Sequence, residues 1–454
     1  MPTRVLVPSG VLGLGFDKEA LAKGVAMQPD IICIDGGSTD SGPYYLGTGT
    51  SKYSLAAIKS EWRQLMQARA KAKVPLVIGS CGTCGTNSMV ELMADITKEL
   101  AAELGQTVKV AKLYSDQCKD VLKTALGDNR IQPLFPAPEV TAAHIVSFTN
   151  CVALAGAEQI EAAINTGADI VLAGRTTDTA VIAALPLMRA EHAGAAWHGA
   201  KIAECGALCS TKPTSGVILV TFDKEGFTVE ALAEGAKCTP HSVSAHMLYE
   251  NADPFILHEP GGFLDVRSAH YQAVDAGRVR VTGSSWTEQV PYTVKLEAAR
   301  LAGYQTMTLA LLRDPRYVAE AKTWVTKLRT FLVGEIEKRM GLPEDNYTLE
   351  FRLLGLDGVL GHLEAKEALP TEVAVLGLIT ARSQELAEEI AKLINPFVLH
   401  YPLTEKEELP TFAFPYSPAE SNRGAVYEFC LNHVLALENP MATFRLETET
   451  LTYG

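Results

Sequence analysis

Asp30-Ile-Ile-Cys-Ile-Asp-Gly-Gly-Ser-Thr-Asp-Ser-Gly-Pro-Tyr-Tyr45 passes from an unbroken apolar run into a loop of glycines, hydroxyls and carboxylates. The run over 30–34 is apolar at both alternating sets of positions, the pattern of a parallel strand covered on both faces. The same unit recurs on either side. Runs over 4–8, 75–78, 108–114, 144–149 and 169–173 are short and rich in Val, Ile and Leu. Amphipathic stretches over 54–73, 88–104 and 157–166 lie between them. Such alternation predicts α/β architecture with right-handed crossovers. The predicted fold is a doubly wound, mostly parallel sheet. A barrel is the second choice, because six units fall short of eight.

The regularity breaks near Cys205. Residues 215–222 and 277–283 read as strands, 243–251 as a short helix, and Pro260-Gly-Gly262 as a turn. Farther on, 347–354 and 373–380 read as strands and 383–394 as an amphipathic helix, a small α+β unit of ferredoxin-like type. A Pro-rich stretch over 410–418 then leads to a last strand–helix segment. Three regions are expected: 1–205, an α/β domain with a strand-end pocket; 206–335, mixed α/β; and 336–454, the C-terminal α+β unit.

Composition narrows the function. The chain of 454 residues is 47% hydrophobic and 20% charged, the balance of a folded globular protein. A net charge of −13 repels phosphate backbones, which argues against general nucleic-acid binding. No run reaches the roughly 18–20 apolar residues of a membrane helix, and the first ten residues read as a strand rather than a signal peptide. A cytoplasmic homo-oligomer is expected, with no membrane partner. The nine cysteines then serve mainly as small core residues.

In an open parallel sheet, ligands bind beyond the carboxyl ends of the strands. All six predicted ends carry small, hydroxyl or carboxylate residues. In the second loop, glycines such as Gly37 let main-chain N–H groups approach an anion. Asp35 and Asp40 can take a proton, hold a metal or cap the loop, and Ser38, Thr39 and Tyr44 stand ready to orient a substrate. The third loop offers Ser80, Gly82, Thr83 and Asn87 around Cys81 and Cys84. A Cys-x-x-Cys pair without a second pair is no zinc motif. Cys84 before the helix over 88–104 can be a thiolate favoured by the helix N-terminus, or a packing residue. Arg175 after the sixth strand is either a bidentate carboxylate clamp or an ion-pair partner of Asp178 or Asp40. Glu204, in an apolar setting beside Lys201, is a candidate acid or base or a plain salt bridge. His246 and Glu250, at i and i+4, supply only two metal ligands. Gly10-Val-Leu-Gly-Leu-Gly15 has the wrong spacing for a dinucleotide fingerprint, and no P-loop or nucleophile elbow appears.

Asp35-Gly-Gly-Ser-Thr-Asp-Ser-Gly-Pro-Tyr-Tyr-Leu-Gly47 resembles the signature of the acyclic terpene utilization (AtuA-like) family. Gly174-Arg-Thr-Thr-Asp178, Glu204-Cys-Gly-Ala207 and Leu248-Tyr-Glu-Asn-Ala-Asp-Pro254 resemble further landmarks, so the likeness spans about residues 1 to 360. The Cys81–Cys84 loop departs from the Asn-Ala-Gly-Gly type of that family. The resemblance implies catabolism of branched or carboxylated acyl compounds.

The resulting expectation is an enzyme, an isomerase or hydro-lyase, that abstracts a proton next to the carbonyl of a small carboxylic acid or its acyl-CoA thioester. Asp40, Cys84 or Glu204 would move the proton. Arg175 and the 36–42 loop would hold the carboxylate, with Asn422 and Arg423 of a 421–424 turn completing the pocket. No cofactor and no metal is assigned. The rivals are a non-catalytic acyl-CoA binding subunit and a metal-dependent hydrolase using Asp35, Asp40 and His246.

Overall fold

A computed structural model describes residues 2–365 and 369–452. Its largest sheet is centred on five parallel strands: β1 (Thr3–Val7), β2 (Ile31–Asp35), β3 (Leu76–Gly79), β4 (Val108–Tyr114) and β5 (Ile170–Ala173), in the spatial order β1-β2-β3-β5-β4. Four of the five are buried along their whole length except for Arg4 in β1, and β4 alone shows half-buried residues. Alternate side chains feed two cores. Leu6, Ile32, Ile34 and Ile78 join the apolar faces of helices α1 (Lys18–Ala26), α2 (Leu55–Ala72) and α3 (Asn87–Leu104). Val5, Val7, Cys33 and Val77 join α4 (Ala157–Asn165), α5 (Ala180–Met188) and α6 (Ala193–Ala203) on the opposite face.

The expectation of a mostly parallel sheet needs correction, because half of the ten strands are antiparallel additions. On the β1 side come Ile218–Phe222, Gly226–Ala231, Arg278–Thr282 and His270–Ala273; beyond β4 comes Arg445–Leu451. The fold is thus mixed α/β. The expected fifth parallel strand over 144–149 is also corrected. Ala142–Ser147 is helical, capped by Thr141, and Phe148–Ala153 pairs antiparallel with Leu296–Arg300 outside the large sheet. An apolar run of six residues does not distinguish a buried helical turn from a strand.

Contacts divide the chain into two units: Met1–Arg300 with Phe429–Gly454, and Leu301–Glu428. The junctions expected at 205 and 335 do not coincide with this division. The first fails because residues 218–282 hydrogen-bond directly onto β1 through Ile218–Phe222. In the second unit the chain runs strand, short helix Pro315–Ala319, long helix, strand, strand, helix, strand. The end of Tyr292–Leu312 pairs with Val373–Ala381, which pairs with Tyr347–Leu354; Glu420–Phe429 pairs with Tyr292–Leu312 from the other side. Helices Ala321–Met340 and Gln384–His400 pack against these strands around Trp324, Leu328, Ile390 and Ile394. Asn422 and Arg423 therefore lie in a strand, not a turn, and the last segment ends in strands, not a helix. No helix among the described residues is long and apolar enough to cross a membrane.

Candidate active site

A cavity of about 470 Å³ opens beyond the carboxyl ends of the parallel strands. Ser9 and Gly10 follow β1, Asp35, Gly37, Ser38 and Asp40 close β2, and Asp178 follows β5. Its remaining walls include Lys52, Tyr53, Glu204, Cys205, Tyr249 and Glu250.

The loop after β3 lies beneath the loop after β2 rather than beside the cavity. Thr83 Oγ1 donates to the Gly36 carbonyl at 3.1 Å, and a Cβ on Gly36 would stand 2.2 Å from the Ser80 carbonyl oxygen. Only Gly permits that approach. Of the candidate residues Ser38, Thr39, Asp40, Gly82, Thr83 and Arg175, Ser38 and Asp40 line the cavity. Gly82, Thr83, Thr39 and Arg175 instead form the buried layer that supports them.

Glu297, on the strand Tyr292–Leu312, organises this layer, and sequence reasoning passed over it. Arg175 Nε donates to Glu297 Oε2 at 3.1 Å, Arg175 Nη1 donates to Ser80 Oγ at 2.9 Å, and Thr39 Oγ1 donates to Glu297 Oε2 at 3.1 Å. Asp178 Oδ1 stands 3.6 Å from Arg175 Nη1. The ion-pair alternative for Arg175 is therefore realised, with Glu297 as the main partner. Burial works against the Glu297 carboxylate, but Arg175, Lys295 and the Thr39 hydroxyl together outweigh it and hold the pKa below the ordinary range. A charged residue in an alternating strand reads as a solvent-facing position, so sequence pattern gave no signal for it.

Cys84 corrects another expectation. Its thiol is buried, faces Thr86 Oγ1 at 3.5 Å and lies outside the cavity lining. Burial pushes its pKa up, more than neighbouring hydrogen bonds lower it, so no thiolate is favoured. Asn87 pairs with Asp116: its N–H donates to Asp116 Oδ1 at 2.9 Å, and its Oδ1 accepts from the Asp116 N–H at 3.2 Å. Tyr44 is exposed and packs edge-on against Tyr45. Asn422, in the second unit, accepts from Thr306 Oγ1 and donates to Glu388 Oε2, both at 2.8 Å.

The cavity is acidic. Asp35, Asp40, Asp178, Glu204 and Glu250 face it, against Lys52 as the single cation of its lining among the described residues. Asp35 accepts from the Gly37 N–H at 2.5 Å through Oδ1, while Oδ2 is buried with no hydrogen-bond partner. Burial first, and the Asp178 charge second, raise the Asp35 pKa well above the usual carboxylate range; Arg175 only partly opposes them. Burial also raises Asp178, against the pull of Arg175. Glu204 closes the carboxyl end of α6 and is ion-paired with Lys201. Burial lifts its pKa to about 8 despite Lys201.

His246 does not share a helix face with Glu250, as the spacing suggested. Helix Pro240–Ala245 gives way to a single 3-10 turn, His246–Leu248, and Glu250 has a left-handed backbone with φ 55°. His246 instead turns toward Glu204 and Cys205.

Compared with known proteins, residues 49–411 match the family model described as acyclic terpene utilisation family protein AtuA. That match begins just past the Asp35–Gly47 motif and runs farther than the resemblance read from about 1 to 360. No curated protein and no solved structure matches the chain.

Proposed function

Starting from the acyclic terpene utilisation family AtuA, to which the chain belongs, we propose that it is a catabolic enzyme of acyl compounds whose cavity moves a proton next to a carbonyl. The substrate class is a small carboxylic acid or its acyl-CoA thioester, and the outcome is isomerisation or hydration–dehydration. The observation that carries this reading is the Asp35–Asp178 pair: both residues line the cavity, and Asp35 Oδ2 is buried without a hydrogen-bond partner. Two neighbouring carboxyls in a poorly solvated site resist ionising together, so one keeps a proton at neutral pH. The ionised member takes the proton from carbon. The protonated member donates to the oxygen on which negative charge develops. Asp35 therefore takes the role that Cys84 loses by its burial outside the cavity. Lys52 is the side chain of the lining suited to meet a substrate carboxylate or phosphate.

Exchange of carbon-bound hydrogen in D₂O, followed by NMR over a panel of branched and unsaturated acids and their CoA thioesters, tests the proposal. The wild type is expected to exchange the hydrogen next to the carbonyl of at least one of them. Asp35→Asn, which keeps the shape of the side chain, is expected to slow that exchange by about 10²–10⁴-fold, the usual contribution of an acid–base group. Binding without exchange would identify a non-catalytic acyl-CoA subunit. Equal rates in the variant would remove Asp35 from the mechanism.

A further inference from the structure

Beside the carboxylate pair stands a second group of chemically capable side chains. One carboxylate oxygen of Glu204, the Sγ of Cys205 and a ring nitrogen of His246 lie within 4.8 Å of one another. They come from two places in the chain: the end of α6, and the turn that follows Pro240–Ala245. Glu204 and Cys205 both line the cavity.

His246 supplies an independent observation. It is 5% exposed, and its Nε2 is buried with no hydrogen-bond partner. Its ring stacks on Tyr249 with centroids 5.7 Å apart. A buried imidazole with a ring nitrogen left bare, beside a carboxylate and a thiol, is placed to act as a metal ligand. Leaving a buried ring nitrogen unpaired is otherwise costly. Backbone packing fixes Cys205: a Cβ on Gly10 would stand 2.8 Å from its Cα. Lys201 holds one oxygen of Glu204.

We propose that Glu204, Cys205 and His246 form a divalent transition-metal site, suited to Zn(II), with its open coordination position toward the cavity. A carboxylate, a thiolate and an imidazole together favour zinc over the hard cations magnesium and calcium. Three protein ligands with an open fourth position are the arrangement of zinc sites that take up water or substrate. Lys201 opposes a cation here, while the carboxyls of Asp178, Glu250 and Glu259 bear on the same region from the other side of the balance. The site also gives an acidic cavity a means of receiving an anionic oxygen. It does not depend on the proton-transfer reading, and binding can be measured in the absence of any substrate.

The test is titration of the chelator-treated full chain with Zn(II) and with Co(II), read by calorimetry and by absorption. The expected result is one equivalent of either metal, with a thiolate-to-cobalt charge-transfer band. Cys205→Ser should abolish that band, and His246→Gln should weaken zinc at least tenfold. Cys238→Ser, whose thiol faces Cys209 instead, should change neither. Absence of stoichiometric binding by the wild type would overturn the site. So would zinc affinity unchanged in both ligand variants, or a band that survives Cys205→Ser and disappears in Cys238→Ser. If circular dichroism shows one ligand variant unfolded, the other variant and the wild-type cobalt band decide.

Discussion

Glu297 is a single carboxylate on which the support of the cavity turns. It is 7% exposed and receives Arg175 and Thr39 at once. Removing one member of a buried ion pair strands the other, so Glu297→Gln is expected to cost about 3–5 kcal/mol in unfolding experiments. Arg175→Met in the same chain should recover part of that loss, because no uncompensated charge is then left. The pH dependence follows from the lowered pKa. Folding favours ionised Glu297, so its stabilisation is present above an ordinary glutamate pKa of about 4.3 and is lost as pH falls through the lower folded value. The variant should therefore lose less stability than the wild type on acidification in that window. If its acid unfolding matches that of the wild type, the Arg175 pair is not what stabilises the carboxylate. The sequence revealed Arg175 and its two possible fates, because an arginine at a strand end stands out. It did not reveal Glu297, which sits 122 residues from Arg175 in a strand where every second residue is expected to be polar.

At the scale of elements, strands were the most legible feature. The limits 108–114 and 347–354 agree with the structure, because long alternating or uniformly apolar runs constrain the pairing face. The packing of loops against one another was not legible. Gly85 shows why: with φ +62°, a Cβ there would stand 2.3 Å from the Arg175 main-chain nitrogen. Gly105, which ends α3, has φ +63° and no atom within 4 Å of its Cβ position. Both read in the sequence as ordinary loop glycines. Gly105→Ala should cost only the left-handed backbone penalty, about 1–2 kcal/mol. Gly85→Ala should cost clearly more and displace Arg175. Comparing the thermal midpoints of the two variants isolates the contact, and equal losses would mean that the loop after β3 yields easily. The sequence also placed the polar loops at the carboxyl ends of the strands, where the cavity opens. It did not tell which end loops lie uppermost, since that depends on distant contacts such as Thr83 with Gly36.

Over the whole molecule, buried carboxyls with raised pKa values set how stability responds to pH. Glu259 shows the effect without belonging to either proposed centre. It accepts from Thr179 Oγ1 at 2.6 Å, its Oε2 is unpartnered, and burial raises its pKa to about 7. Folding here favours the protonated form. Its stabilisation is present below an ordinary glutamate pKa and is lost as pH rises through about 7, the opposite direction to Glu297. Glu161, also raised to about 7 by burial, adds to the trend. The thermal midpoint should thus fall as pH rises from about 4.5 to about 7. Glu259→Gln should flatten that fall, by on the order of 2 kcal/mol at the alkaline end. A slope unchanged by the substitution would place the titrating groups elsewhere. The antiparallel strand Arg445–Leu451 also bears on how the chain is made. It covers the edge of β4, which ends at Tyr114. On a ribosome adding about 5–20 residues per second, β4 emerges on the order of 15–60 s before the strand that covers it. During that interval the nascent chain carries an open row of main-chain donors and acceptors, a template for pairing with a neighbouring nascent chain. Pairing between nascent chains on one polysome is therefore favoured in this interval, and slow translation of residues 115–444 lengthens it.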